Sequence, residues 1–575
     1  MPCTSYEGMV RHTQAFNFLN PSLMIRILPL LVLLSSVSIA FAQNTVGLLS
    51  YNPTQAYDGY NLLYPHNQPN VYLVDNCGEV VHSWEDEDNW RPANTAYLTE
   101  EGLLYKSKRD AVVVNDPIWA GGGGAILEIR DWDNNLIWDF ELNDSINRLH
   151  HDFAVTEAGT IIAVAWELKD TEACIAAGRD TSTLDNRKQM WPDWVFEIDP
   201  AIDEIIWEWH AWDHLVQDFD STRTNFGDVT NPHKIDVNFG REDGHPDWLH
   251  ANALDYNEDL DQIMLSIPYF DEIWIIDHST TTEEASTSFG GFSNRGGDLM
   301  FRWGNPETFG QTAQQTSFFQ HDAHWVDDFL TQSHPDFGKI AFFNNQIGDD
   351  FSVANVITSG FDMYTWSYEM AGDNTFLPMD YDQTFVHPED PTRLWSTGLS
   401  SVQILPNRNT LITSGRFGYS FELTPDNEIV WEYVTPRVGT NPATQGDSLT
   451  INQNLTFRVQ RYPADFAAFA GRDLTGNGWL ELEPNIDFCD QILPTVEIMD
   501  EAAFMIYPNP TSDKLIVEWD GMMKADITIH NLMGETLASF PQQSGGRSFL
   551  DVAPLGQGLF LITINGHHSR KFFVR

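Results

Sequence analysis

The sequence predicts an all-β protein, a six-bladed β-propeller with a small β-module behind it. Three observations lead there: a repeated Trp-ending hairpin, a second repeated segment before each hairpin, and few helical periodicities in a chain with Trp 20 and Phe 36. The hairpins read LVDNCGEVVHSW at Leu73–Trp84, LEIRDWDNNLIWDF from Leu127, FEIDPAIDEIIWEW from Phe196, GDLMFRW ending at Trp303 and FELTPDNEIVWEY from Phe421. Each joins runs of β-branched and aromatic residues through Asp, Asn, Pro or Gly, which is hairpin chemistry. Recurrence at roughly 40 to 60 residues is the spacing of propeller blades. Radial repetition buries hairpin faces against neighbours and leaves only short, protected edges.

The preceding segments begin at Asn94, His151, His250, His321 and Ser400 or Ser401. The first strand of a blade lines the axis, so these residues are expected to ring one mouth of a central channel. Lys339 to Trp366 reads as a further divergent hairpin, and Asn61 to Asp75 as a segment that helps close the ring, giving six blades.

At 575 residues and 42% hydrophobic content the chain can bury a large core and hold more than one domain. Its formal charge of −52, from 83 acids and 31 bases, argues against nucleic acid or anionic membrane surfaces as partners. An anionic substrate therefore needs a local basic pocket. Leu28 to Ser38 is an apolar run after Arg26, followed by Ala40-Phe41-Ala42, a small-x-small cleavage signal. The run is too short to span a bilayer, so an exported protein without an integral span is expected. Residues 1–42 are thus read as N-terminal extension and signal peptide, 43–484 as propeller, 485–503 as linker and 504–575 as a separate module. Beyond Cys3, three cysteines remain, Cys77, Cys174 and Cys489; one disulfide is expected, and the sequence does not choose the pair.

Histidine carries the candidate chemistry, because neutral imidazole serves as base, nucleophile or ligand near neutral pH. His150-His151-Asp152, His250-Ala251-Asn252 and His321-Asp322-Ala323-His324 fall at matching points of successive repeats, and packing alone has no reason to choose a titratable ring repeatedly. Other signals have plainer readings. Asp473 to Glu481 lacks the ligand spacing of a calcium loop and reads as a Gly-rich turn. Gly121 to Gly124 has no Lys-Ser/Thr or helix after it, so it is a loop rather than a phosphate cradle. His233 and His245 are too irregularly spaced to favour metal.

DWLHANALDY at Asp247–Tyr256, QHDAHW at Gln320–Trp325, HHDFAV at His150–Val155 and the late SSVQILPNRNTLITSGRFGYSFELTPDNEIVWEYVTP resemble the bacterial arylsulfotransferases that use no 3′-phosphoadenylyl sulfate. The resemblance runs from about Leu62 to Asp473. It implies a six-bladed propeller that moves a sulfuryl group from a phenolic sulfate to another phenol through a sulfated histidine, without a cofactor or metal. His250, His321, His324 and His151 are the matching channel histidines, and Arg416, Asn252 and Asn94 the candidate substrate-binding residues. Two positions depart from the family: the late inner strand opens Leu399-Ser400-Ser401 where a histidine is expected, with His387 the only later histidine in the propeller, and Gln346 to Asp350 carries no arginine, leaving Arg416 to substitute. The competing functions are a non-catalytic propeller that binds sulfated, phenolic or polysaccharide ligands, and a metal-dependent hydrolase or lyase.

The last 75 or so residues contain YPNPTSDKLIVEW, LGQGLFLITI and a terminal KFFVR. They resemble the C-terminal sorting domain of the type IX secretion system of Bacteroidetes, which implies an Ig-like β-sandwich, the secretion machinery as a partner, and a secreted or cell-surface destination.

Overall fold

The computed structural model describes residues 44–113, 116–489, 504–519, 524–531, 536–564 and 568–575. The signal-peptide segment and most of the linker lie outside them. The described chain is all-β, with few and short helices. Residues 44–489 hold six antiparallel sheets of four or five strands. Sheet I orders Val459–Pro463, Gly59–Leu63, Val71–Asp75 and Val80–Trp84. Sheet II runs Trp90–Leu98, Leu104–Asp110, Ile126–Arg130 and Leu136–Glu141. Sheet III runs Asn147–Val155, Ile161–Glu167, Asp193–Asp199 and Glu204–His210. Sheet IV runs Ala253–Asn257, Gln262–Ile267, Glu272–Asp277 and Phe301–Trp303. Sheet V runs His321–Trp325, Ile340–Asn344, Val353–Ile357 and Gln383–Phe385. Sheet VI runs Ser401–Ile404, Thr410–Ser414, Tyr419–Leu423 and Ile429–Val434, with Gly47–Tyr51 added outside. The early and late chain are therefore woven together twice, in sheets I and VI, and a Cys77–Cys489 disulfide adds a covalent tie. Among the described residues Cys174 is a free thiol, buried, and burial pushes it up to about 11.

The repeated tryptophans fasten each sheet to the next. Trp84 donates to the Asp131 carbonyl at 3.0 Å, Trp138 to Asp203 at 3.1 Å, Trp207 to the Thr280 carbonyl at 3.0 Å, Trp303 to the Pro378 carbonyl at 2.6 Å and Trp431 to the Asn76 carbonyl at 2.9 Å. An indole suits this task because it buries a large apolar face while its single N–H reaches a partner. The join from sheet V to sheet VI has no such indole; there buried His387 contacts the Tyr419 hydroxyl at 3.1 Å. His387 is thereby a packing residue.

Leading strands meet their neighbours in the order II, III, IV, V, VI and I, and the Leu98 N–H of sheet II donates to Tyr462 of sheet I at 2.9 Å. One guanidinium ties the six together. Arg458, just ahead of its strand in sheet I, bonds Asp322 of sheet V at 2.6 Å, Asp152 of sheet III at 3.0 Å and the Tyr97 hydroxyl of sheet II. The same carboxylates accept the backbone N–H of Leu254 in sheet IV at 3.2 Å and of Val402 in sheet VI at 2.9 Å.

The C-terminal module has two sheets, of three and four strands, with one shared core that includes Leu515, Val517, Ile527, Ile562 and Phe572.

Candidate functional site

Four of the five matching positions of the sequence repeat share one backbone device, and in the fifth, at His321, it falls one residue later, on Asp322. Asn94 has φ 108°, His151 50°, His250 63°, Asp322 61° and Ser400 90°, all left-handed for residues with side chains. Strand pairing slips at the same places in sheets II, III and V. Such bulges turn a side chain out of strict alternation, and strained residues of this kind gather at functional sites.

His250 is oriented by a carboxylate one turn earlier in the chain. Its Nδ1–H donates to Asp247 at 2.7 Å, and Asp247 is 1% exposed, which leaves Nε2 as the ring's lone-pair nitrogen. Arg241 lies 3.7 Å from the same carboxylate and stacks on Tyr269, whose ring adjoins His250. The His151 ring lies 4.5 Å from that of His250 and shares a 3.0 Å Nδ1–Nδ1 contact with His150, which stacks on Trp166. Gly122 passes so close to His151 that a Cβ there would overlap the imidazole, so one residue of the glycine run serves close approach.

His321 is fixed by an amide. Asn345 donates through Nδ2 to the carbonyls of Ser396 at 2.9 Å and Leu399 at 3.0 Å, so its Oδ1 is the atom 2.9 Å from His321 Nδ1. Nδ1 is therefore the protonated nitrogen and Nε2 the lone pair. Burial lowers the His321 ring to about 3, so it is neutral at physiological pH. Across from it stands Arg416. A Cβ on Gly398 would lie 3.4 Å from Arg416 Nη2 and 3.8 Å from His321 Nε2, so glycine keeps the gap between them open. Arg416 bonds Asn452 at 3.0 Å, its Nε is buried without a partner, and among the described residues it has no carboxylate within ion-pair distance. In a chain of 83 acids and 31 bases, an unpaired guanidinium beside neutral imidazoles is a place for an anion.

The other candidates separate. Asn94 adjoins this cluster, with Nδ2 buried and unbonded. Asn252 is fully buried and donates to the Gln320 carbonyl at 2.8 Å, bracing sheet IV against V. His324 lines a different pocket with Tyr97, Asp328 and Arg458, its Nδ1 2.7 Å from the Asp322 carbonyl. Among the described residues no three His, Cys, Asp or Glu side chains converge as a metal-binding group. His233 contacts the Leu299 carbonyl at 2.7 Å, and the Asp473 turn caps its own Thr475 N–H at 3.0 Å.

Sequence reasoning missed Asp247, Asn345, Gly398 and His66. Asp247 stands three residues before His250 and Asn345 directly precedes the Gln346 to Asp350 stretch, so both were within reach. His66 carried no signal: it enters from the connection between Gly59–Leu63 and Val71–Asp75, where its backbone N–H donates to the Leu455 carbonyl at 2.8 Å.

The described chain thus combines an all-β fold with a histidine cluster beside an arginine that has no carboxylate partner. Residues 48–438 match the Arylsulfotransferase (ASST) family, and the chain belongs to it. Residues 505–575 match the Secretion system C-terminal sorting domain, so this is a secreted or cell-surface arylsulfotransferase-like protein that uses the type IX route. No helix among the described residues is long and apolar enough to cross a membrane. No curated protein matched the sequence. Among solved structures the chain is loosely similar to a protein of unknown function from Bacteroides caccae, at 10% identity and TM-score 0.36, covering 65% of this chain and 93% of that one. A catalytically inactive virginiamycin B lyase from Staphylococcus aureus with quinupristin matches at 9% identity and TM-score 0.30, covering 70% and 92%. Hsv2 from Kluyveromyces lactis matches at 10% identity and TM-score 0.27, covering 65% and 81%.

Proposed function

We propose that the six sheets are the blades of a closed propeller and that the protein transfers a sulfuryl group from an aryl sulfate to a phenol through its axial histidines. The observation that carries this reading is the neutral His321 Nε2 facing the unpaired Arg416 across Gly398. In the first half-reaction the His321 Nε2 lone pair attacks sulfur, the N–S bond forms, and the S–O(aryl) bond breaks with its electron pair leaving on the phenolate. Asn345 accepts the Nδ1–H of the ring, which becomes cationic. Arg416 holds the sulfuryl oxygens as charge redistributes, since the lone-pair Nε2 of His250 offers them no hydrogen. In the second half-reaction a phenol oxygen attacks sulfur, its proton passes to a neutral imidazole of the cluster, and the N–S pair returns to His321 Nε2. No nucleotide is needed, because the sulfuryl group stays on the protein between partners. Residues 1–42 deliver the chain to the periplasm and the terminal Ig-like sandwich directs it onward.

The test is steady-state turnover of 4-nitrophenyl sulfate by residues 43 to about 500, with and without a phenol. Acceptor-stimulated nitrophenolate release together with sulfated acceptor by mass spectrometry is expected. Saturable binding without release across a broad acceptor panel would instead assign a ligand-binding propeller. Loss of release on chelation would assign a metal-dependent enzyme.

A further inference from the structure

The ring of leading strands lacks a histidine where sheet I contributes, because Phe457-Arg458 opens that strand. The fold delivers one from elsewhere in the chain. His66 is tethered by its backbone to Leu455, next to where the sheet I strand begins. Its Nε2 is buried with no hydrogen-bond partner, as is Nδ2 of Asn94, whose side chain adjoins the His66 ring. His66 also lies within electrostatic reach of His151, Arg109 and Arg416. Arg109, like Arg416, has no carboxylate within ion-pair distance among the described residues. Burial and these two cations lower the ring to about 4, so it is a neutral base.

Its position matters for sulfuryl transfer. In the order II, III, IV, V, VI and I, His321 of sheet V stands opposite Asn94 of sheet II, and His66 of sheet I and His151 of sheet III flank Asn94. Displacement at sulfur sets the entering and leaving atoms roughly in line. With nitrogen of His321 at one end, the aryl oxygen falls at the other, beside His66 and Asn94.

We infer that His66 is the catalytic base for the acceptor: its Nε2 takes the phenol proton as the phenol oxygen bonds to sulfur, and Asn94 Nδ2 holds that oxygen. The S–N bond to His321 breaks in the same step with its pair returning to Nε2, and His66 then passes the proton to solvent. This rests on the sulfuryl-transfer reading above, yet it separates from it experimentally. Nitrophenolate is a weakly basic leaving group that needs no acid, so the first half-reaction is indifferent to His66 while the second depends on it.

The experiment compares wild type with His66→Gln and His66→Ala in rapid mixing with 4-nitrophenyl sulfate and a series of phenols of graded acidity. Thermal unfolding of each variant reports that the fold is kept. The expected result is an undiminished burst of nitrophenolate, protein trapped in the sulfated form, and acceptor-dependent turnover reduced about 10²–10⁴-fold. The deficit should shrink for acidic phenols that arrive ionised. Unchanged turnover and unchanged dependence on phenol acidity in a folded variant would overturn the assignment, as would loss of the burst itself. Absence of any burst in wild type would instead remove the underlying transfer reading.

Discussion

Arg458→Met is the sharpest probe of the hub that joins the six leading strands. The guanidinium satisfies Asp152, Asp322 and the Tyr97 hydroxyl, and the two carboxylates are 0% and 3% exposed. Methionine fills much of the volume but leaves both carboxylates buried without their cation, and breaking a buried pair by removing one partner costs about 3–5 kcal/mol. Each carboxylate keeps a backbone N–H, from Leu254 and Val402, which holds the loss within that range. Equilibrium urea denaturation followed by tryptophan fluorescence should show this destabilisation. The triple variant Arg458→Met, Asp152→Asn, Asp322→Asn should recover most of it, because no charge remains uncompensated. A single-variant loss below about 1 kcal/mol, or a triple variant no better than the single one, would refute the reasoning.

Further outcomes follow from the site. Arg416→Met should lower transfer by roughly 10²–10³-fold with little change in stability, with Arg416→Lys intermediate, measured as kcat/KM for 4-nitrophenyl sulfate. Gly122→Ala, at φ 78° and against the His151 ring, should cost about 2–4 kcal/mol of stability and displace that ring, read by thermal unfolding and by activity. The pH profile of stability has a worked sign. His321 at about 3 and His66 at about 4 are held below the unfolded value of about 6.5. The neutral-ring contribution is therefore fully present above pH ~6.5 and is lost toward those values at about 1.4 kcal/mol per pH unit per ring. His278 behaves oppositely. Burial disfavours its charge, but Asp261 at 2.6 Å and Glu197 at 3.2 Å outweigh that and raise it to about 9, so its contribution is complete below pH ~6.5 and lost on rising through 9. Denaturation midpoints from pH 4 to 10 check both limbs.

The sheets were legible because hairpin turns and Trp-ending strands are local signals. What each tryptophan does was not legible, since its partner, such as Asp131 for Trp84 or Asn76 for Trp431, lies in the next sheet. The same holds for the pairing of early with late strands: Gly47–Tyr51 and Val459–Pro463 become neighbours of strands hundreds of residues away. Matching repeat positions located His151, His250 and His321, because a left-handed residue recurs in or just before the leading strands of sheets II to VI. His324 shares the segment of His321 but lines another pocket, a difference set by the irregular pairing between them. His66 was invisible, since it reaches the cluster from a connection rather than from a leading strand.

The most direct test of the central claim is to mix the protein with 4-nitrophenyl sulfate in the absence of any phenol, quench within the burst, and map the modification by peptide mass spectrometry. The account predicts one sulfuryl group per chain on the peptide bearing His321, absent from the His321→Ala variant and discharged when a phenol is added. A sulfuryl group on another residue, or nitrophenolate release by folded His321→Ala at the wild-type rate, would contradict it.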